Sequence, residues 1–404
     1  MLKNSQKQDG WLVALYVFLV LTSVVIIQVS SKKFLMVDSR VYLETAENLS
    51  TGRGFVFGSN GQQVFCSVWP MGYPLLIVLV QKLTQLSFFW ASKVVNYVGL
   101  AALFGLFRRL AGGKAWFVAL VMLNGIYIKQ FSYTMSEPTF LVLLLYFIFV
   151  LYQLILHPAH RANYLWLCLL MCSLFITRYI GSFTFVVVGT IAVYHFFKKH
   201  YQLAFRLLAT VLLATLFAMT YLAYNYQQSG FFAGDVQRFG GIALSTQQIV
   251  FQFARAFFNE FLLIKDYDIG DNAPFDLLAM IGLIVQLFWL YWITKHWKST
   301  GFGWRFDFFC KLTFGVATGY FIVFALIWLT NPLESIYYRY LSPFTLPVLV
   351  ALLYSLTLPA QEVVFASIKK SVVILMICTL CNLLPGIHWE QRTPELLEKV
   401  MGYW

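Results

Sequence analysis

The sequence predicts an all-α, polytopic membrane protein, and three observations lead to this fold class. Of its 404 residues, 60% are hydrophobic and only 11% are charged, whereas soluble domains average about 25% charged residues. The mean hydropathy is +0.72. Apolar runs of about 16 to 22 residues recur along the chain, and about 20 helical residues cross a hydrocarbon core ~30 Å thick. A soluble enzyme, a fibrous protein, a disordered chain and a disulfide-stapled secreted domain are excluded.

Eleven apolar segments predict about eleven transmembrane helices. They cover residues 11–30, 90–107, 115–131, 138–156, 164–179, 181–197, 205–224, 274–294, 309–330, 341–357 and 371–387. The first segment resembles a signal peptide in its position. It lacks a small-x-small cleavage site and continues into Ser30, Ser31, Lys32 and Lys33, which favours an uncleaved anchor.

The connections between these segments predict the orientation in the membrane. Alternate connections hold fifteen of the Lys and Arg residues and only three acids, which leaves fourteen cations and fourteen acids on the other side. Short cytoplasmic loops are rich in Lys and Arg, so the N-terminus is expected inside and the C-terminus outside. Because the net charge of +12 lies in these loops, it does not indicate nucleic-acid binding.

Two long segments, 31–89 and 225–273, fall on the predicted extracytoplasmic side. The residues from 38 to 49 predict an amphipathic helix whose Val41, Ala46 and Leu49 face the membrane surface. The apolar run from 73 to 86 begins with two prolines and contains Lys82, which favours an interfacial or re-entrant helix over a full span. We therefore expect a transmembrane domain over 1–357, with its chemistry on the outer face, followed by a C-terminal helix and a short external tail over 358–404.

Neither a metal nor a nucleotide site is predicted. The sequence has no Walker-type motif, and its six histidines show no zinc-site spacing. The acidic run 265–271 resembles a calcium loop in composition, but it lacks the bidentate Glu at the twelfth position. Cys378 and Cys381 form a Cys-x-x-Cys pair inside an apolar segment, where packing residues are the simpler interpretation.

Five short segments each lie at or near the extracytoplasmic end of a predicted span. They are residues 38–54, 69–76, 136–139, 177–181 and 338–343, which include Trp-Pro-Met-Gly-Tyr-Pro, Ser-Glu-Pro-Thr, Thr-Arg-Tyr-Ile-Gly and Tyr-Arg-Tyr-Leu-Ser-Pro. As an ordered set they resemble the GT-C glycosyltransferases, among them the protein O-mannosyltransferases and the bacterial aminoarabinose lipid A transferases. The chain departs from the pattern at Ser39, where mannosyltransferases often carry a second acid, and at Tyr179, which replaces a proline.

This resemblance implies a GT-C fold and a transferase in a bacterial inner membrane. The enzyme would move a sugar, with inversion, from a polyprenyl-phosphate donor to an extracytoplasmic lipid, glycan or protein acceptor, without a cofactor or metal. Asp38 is the candidate general base, since a carboxylate can accept the proton of an attacking hydroxyl; its alternative role is to cap the helix that it begins. Glu137, Tyr42 and Tyr73 are candidate substrate-binding residues. Glu137 also suits a helix start, because acids and proline are favoured in the first turn.

Three cations are candidates for holding the donor phosphate, because a leaving phosphate needs fixed positive charge. They are Arg339, Arg178 and Lys129, from three distant segments predicted at one depth on one face. An ionisable residue at membrane depth is a functional candidate, although snorkelling to the interface is the alternative. Arg53, Lys82 and Lys93 are interpreted as ordinary interface anchors.

Two other classes of protein remain open. A secondary transporter or lipid flippase would carry an internal repeat and broken helices near mid-membrane; no repeat is visible, and the polar residues concentrate in the external segments. A lipid-linked glycan ligase or polymerase would share the location and the arginines, and differs in its acceptor.

Overall fold

The structure is a computed structural model, and it describes residues 2–59, 61–234, 245–263, 277–301, 303, 305–330 and 336–383. Over these residues the protein is all-α apart from one small hairpin, in agreement with the predicted class. The helices are α1 Leu2–Val29, α2 Val37–Ser50, α3 Gly72–Thr84, α4 Phe88–Ala111, α5 Ala115–Ala119, α6 Gly125–Ser132, α7 Glu137–Leu156, α8 Arg161–Thr177, α9 Phe183–Phe197, α10 Tyr201–Ser229, α11 Thr246–Phe261, α12 Leu277–Ser299, α13 Phe308–Thr330, α14 Tyr338–Thr357 and α15 Glu362–Cys378. The strands are β1 Val56–Ser59 and β2 Gln62–Phe65.

Within these described ranges, eight segments are long and apolar enough to cross a membrane. They are Gln8–Val29, Phe88–Leu123, Glu137–Leu156, Tyr179–Phe197, Tyr201–Ser229, Phe308–Thr330, Tyr338–Thr357 and Pro359–Leu383. The chain is therefore a multi-pass membrane protein by composition and length, whereas the number eleven stays a prediction.

Four of the predicted spans differ from the structure or extend beyond the residues it describes. The segment 115–131 is divided into α5, the 3-10 helix Leu120–Leu123 and α6. The side chain of Asn124 caps α6, with its Oδ1 accepting from Ile126 N at 3.0 Å. The segment 164–179 forms α8, which is shorter than a full span. Parts of 274–294 and 371–387 lie outside the described residues, as does the tail after residue 383.

The first long segment forms α2, the hairpin and α3. The predicted helix over 38–49 is confirmed as α2, but Val41 and Ala46 are buried inside the protein. They pack against protein side chains, because α3 and the hairpin cover the apolar face of α2. The thirteen residues of α3 extend about 20 Å at 1.5 Å per residue, so α3 is too short for a full span.

The sequence analysis did not identify the hairpin. Strand β1 pairs with β2 in antiparallel register, with Val56 opposite Phe65. Two side chains of α2 hold it in place: Asn48 Nδ2 donates to Val56 O at 2.8 Å, and Glu44 Oε1 accepts from Gly58 N at 2.7 Å.

The helices bring two groups of charged residues to opposite ends of the bundle. Helix α14 is the most buried of the eight candidate spans, and its 20 residues extend about 30 Å. At its first turn, Arg339 contacts Asp38 of α2. At its last residue, Thr357 O accepts from Lys114 Nζ at 3.3 Å. We call these the site end and the basic end.

Candidate active site

A cavity of about 690 Å³ lies at the site end of the bundle. Its wall combines charged, hydroxyl and aromatic side chains from six separate parts of the chain. The lining residues are Asp38, Tyr42, Val68, Trp69, Pro70, Ser136, Thr177, Arg178, Tyr179, Ile180, Ser182, Tyr320, Phe324, Ile327, Trp328, Arg339 and Tyr340.

Asp38 lies in the first turn of α2 and lines this cavity. The predicted alternative, a helix cap, is taken by its neighbour: Ser39 Oγ accepts from Met36 N at 2.9 Å. The Asp38 carboxylate faces another helix, where its Oδ2 accepts from Arg339 Nη2 at 2.5 Å. The side chain keeps 18% exposure, so the carboxylate is both fixed by a cation and open to the cavity.

Arg339 joins three segments at the start of α14. Its Nε donates to Glu137 Oε1 at 2.6 Å, its Nη2 donates to Asp38, and its Nη1 donates to the hydroxyl of Tyr337 at 3.2 Å. All three guanidinium nitrogens therefore have partners. The fork of a guanidinium suits several directional bonds, which an ammonium cannot reproduce.

Glu137 lies behind the arginines, at the start of α7. It is 2% exposed and is followed by Pro138 in the first turn, so the predicted helix start and an electrostatic role coincide. Its Oε1 accepts the hydrogen bond from Arg339 Nε, and Arg178 Nη1 lies 2.7 Å from the same oxygen. Among the described residues, Oε2 has no hydrogen-bond partner.

Arg178 occupies the break between α8 and the 3-10 helix Tyr179–Ser182. Its backbone is extended, with φ −151° and ψ 131°, and this ends α8 and turns the side chain toward Glu137. Gly181 is needed for the turn, since a Cβ there would lie 2.4 Å from the carbonyl carbon and oxygen of Leu174. The Tyr179 hydroxyl also stabilises the turn by donating a hydrogen bond to Ser67 O at 2.8 Å.

The four charged side chains Asp38, Glu137, Arg178 and Arg339 form what we call the four-charge network. Two anions balance two cations, so its formal charge is zero. Buried ions are tolerated when they are paired and hydrogen-bonded. The network therefore holds charge at the site end of the helices without a net charge inside the bundle.

Tyr42 also lines the cavity, where its hydroxyl lies 3.0 Å from Ser136 Oγ. Burial, together with the nearby Glu137 and Asp38 carboxylates, raises the pKa of the Tyr42 phenol well above its ordinary value. It therefore stays protonated and can donate a hydrogen bond at neutral pH.

Three predicted site residues do not line the cavity. Glu137 lies behind the two arginines and contacts both of them. Tyr73 is fully buried behind Tyr42, with ring centroids 5.2 Å apart, so it positions Tyr42 by packing. Lys129 lies on α6, away from the lining residues.

The interpretation of Lys93 as an interface anchor was wrong. Lys93 is completely buried, and its Nζ donates to Ser132 O at 2.7 Å and to Thr134 Oγ1 at 2.9 Å. The Lys93 side chain points from α4 toward the end of α6 and the segment that follows it, where these two acceptors bind the ammonium. The position of a lysine near a helix end does not show which way it faces.

Sequence reasoning missed other polar residues near the site. Tyr337 accepts from Arg339, and Glu260 of α11 is buried, with its Oε1 accepting from Thr345 Oγ1 at 2.9 Å. Helix α11 is amphipathic and also carries Gln247, Gln248, Gln252 and Arg255, so its sequence did not distinguish Glu260 from the residues of an ordinary polar face. The acidic run 265–271 lies outside the described residues. In the ranges that are described, no group of three or more His, Cys, Asp or Glu side chains is placed to hold a metal.

Comparisons of the chain with protein-family models, with curated proteins and with solved structures returned no match. The assignment of a function therefore depends on the chemistry of the cavity and on the residues that line it.

Proposed function

We propose that the protein is a membrane glycosyltransferase that moves a sugar from a polyprenyl-phosphate donor to an acceptor on the extracytoplasmic face. The observation that carries the proposal is a convergence. All five segments that resemble GT-C glycosyltransferases, which are spread over about 300 residues of sequence, contribute residues to the lining of the 690 Å³ cavity. Ion pairs join four of these segments to one another, and a common ligand accounts for all five meeting at a cavity.

Asp38 acts as the general base in this proposal. The acceptor hydroxyl attacks the anomeric carbon, its proton passes to the Asp38 carboxylate, and the bond from that carbon to the phosphate oxygen breaks. The products are the glycosylated acceptor and the free polyprenyl phosphate, so atoms and electrons balance. A positioned base contributes about 10²- to 10⁴-fold to such a step.

Arg339 couples the two halves of this reaction. The donor phosphate carries one negative charge as a diester and two after it departs. When Asp38 takes the proton, its attraction for Arg339 weakens. Arg339 Nη2, which donates to Asp38 at 2.5 Å at rest, can then bond to the leaving phosphate, whose charge has just increased.

The apolar part of the cavity lining suits the lipid portion of the donor. Phe324, Ile327 and Trp328 of α13 belong to it, and α13 is one of the apolar candidate spans. An isoprenoid chain can lie against these side chains while the phosphate remains near the arginines, since burying apolar surface is favourable.

The first test is transferase activity of the purified protein in nanodiscs. A panel of polyprenyl-phosphate sugars would be supplied with a membrane acceptor fraction, and release of polyprenyl phosphate would be measured. Asp38→Asn should lower this release by about 10²- to 10⁴-fold. Glu47→Gln is the matched control, because Glu47 lies on the same helix but is 57% exposed and distant from the lining residues.

Two results would count against the proposal. Normal turnover by a folded Asp38→Asn protein would show that Asp38 is not the general base. If the folded protein released polyprenyl phosphate from none of the donors, the assignment as a transferase would be refuted.

A transporter is the second candidate, because paired charges inside a helical bundle also occur along transport pathways. Proteoliposomes separate the two functions. A transporter would move an intact lipid-linked or soluble substrate across the bilayer, and the donor's sugar–phosphate bond would remain unbroken.

A further inference from the structure

A second cavity, of about 570 Å³, lies at the basic end of the bundle, where the start of α5, residues 362–374 of α15 and Gln8 of α1 meet. We call it the lysine cavity. Lys114, Lys369 and Lys370 line it, and Glu362 is the one acid among its lining residues. About 30 Å of helix α14 separates this end from the candidate active site, so the two cavities are distinct.

Two of the three lysines are available to a ligand. Lys114 Nζ lies 2.5 Å from Glu362 Oε2 and also donates to Thr357 O. Lys369 and Lys370 are exposed, and neither has a carboxylate partner within the described ranges. The lining therefore carries an excess of two positive charges.

Apolar side chains line the cavity next to the lysines. Phe365 lies between two of the lysines, with its ring centroid 4.7 Å from Lys114 Nζ and 5.8 Å from Lys369 Nζ. Val373 and Ile374 also line the cavity. They follow Lys369 and Lys370 by four residues, which is about one helical turn. A ligand that fills this space has an anionic group beside the lysines and a hydrocarbon chain that lies a helical turn deeper along α15.

We propose that the lysine cavity binds an anionic glycerophospholipid, with its phosphate between Lys369 and Lys370 and an acyl chain along Val373 and Ile374. Basic pockets between transmembrane helices on the cytoplasmic side are suited to anionic headgroups. The aromatic rings of Trp116 and Phe365 at the same level suit the membrane interface. A free phosphate would use the lysines and leave the apolar region of the cavity without contacts.

The test is native mass spectrometry of the detergent-purified full chain with phosphatidylglycerol, phosphatidylcholine or inorganic phosphate added. One molecule of phosphatidylglycerol should bind per chain in preference to phosphatidylcholine. The double variant Lys369→Gln/Lys370→Gln should weaken this binding by about 25-fold, since each lysine near an anionic lipid contributes roughly a factor of five.

The adjacent pair Lys198 and Lys199 provides the matched control, because both are exposed and lie outside the cavity. Lys198→Gln/Lys199→Gln should bind phosphatidylglycerol as the unaltered protein does. Equal weakening by both double variants would mean general attraction to charge and would overturn the proposal. Displacement of the lipid by inorganic phosphate at the same concentration would overturn the lipid assignment in favour of a phosphate site.

Discussion

Removal of the Arg339 guanidinium tests whether the four-charge network holds the site end together. Arg339→Ala leaves Asp38 without its cation and leaves Glu137 with Arg178 alone. Glu137 is 2% exposed and Arg339 is 10% exposed, so water cannot replace the lost partner. Breaking a buried pair from one side costs about 3–5 kcal/mol, and we expect a loss in unfolding free energy near 3 kcal/mol because Arg178 remains.

The assay is unfolding of the purified protein by SDS in mixed micelles, carried out as a double-mutant cycle. Glu137→Gln removes the shared anion while preserving the shape of the side chain. Once Gln is present, Arg339→Ala should cost about 1–3 kcal/mol less than it does alone, as expected for two residues in direct contact.

Arg53→Ala is the control for loss of a positive charge. Arg53 and Glu47 are 4.0 Å apart and both are more than half exposed, so the change should lower stability by at most about 1 kcal/mol. Additive effects of the Arg339 and Glu137 substitutions would refute the reasoning, since independent sites do not share an ion pair.

Two further predictions concern packing and orientation. Gly72→Ala places a Cβ 2.6 Å from the backbone oxygen of Ile176, so it should lower the unfolding free energy by about 1–3 kcal/mol in the same assay. Gly189→Ala is the control: its Cβ has open space around it, so the unfolding free energy should be unchanged or rise by up to about 1 kcal/mol. A cysteine introduced at the exposed Gln62 should react with an impermeant thiol reagent in intact cells, and one at Lys199 only after permeabilisation; the reverse pattern would place the candidate active site inside.

Much of the fold was predictable because hydrophobicity sets helix length in a membrane. The same rule failed where a single polar residue breaks a long apolar run. The segment 115–131 is apolar throughout most of its length, yet Asn124 interrupts it. Tertiary packing also reversed one prediction, since the apolar face of α2 lies against protein. Amphipathicity shows that a face is apolar and does not show what covers it.

The candidate site was predictable to some extent for a similar reason. The rarity of charged residues near membrane depth predicts Arg178 and Arg339, whereas Asp38 is predicted mainly through the resemblance to the GT-C glycosyltransferases. Their pairing was not predictable, because Asp38 and Arg339 are 301 residues apart in sequence. Lys129 and Lys93 show the limit of this reasoning: a cation at a helix end faces whichever side offers it acceptors, and only the packing of α4 and α6 decides this.

The unequal contacts of the two arginines imply a division of roles in the proposed reaction. Arg178 lines the cavity with 18% of its side chain exposed, while its Nη1 is buried 2.7 Å from Glu137 Oε1 and has no hydrogen bond of adequate geometry among the described residues. Arg339, in contrast, uses all three of its nitrogens at rest. A donor phosphate can therefore bond to Arg178 on arrival, whereas Arg339 becomes available only when Asp38 is protonated.

An interaction made in both the ground state and the transition state affects KM, and one made only in the transition state affects kcat. Arg178→Lys should therefore chiefly raise the KM for the donor, and Arg339→Lys should chiefly lower kcat. Steady-state kinetics over a range of donor concentrations distinguishes the two effects. Equal changes in KM and kcat for both variants would mean that the two arginines act as one unit. The proposed transfer of the Arg339 hydrogen bond from Asp38 to the leaving phosphate would then be wrong.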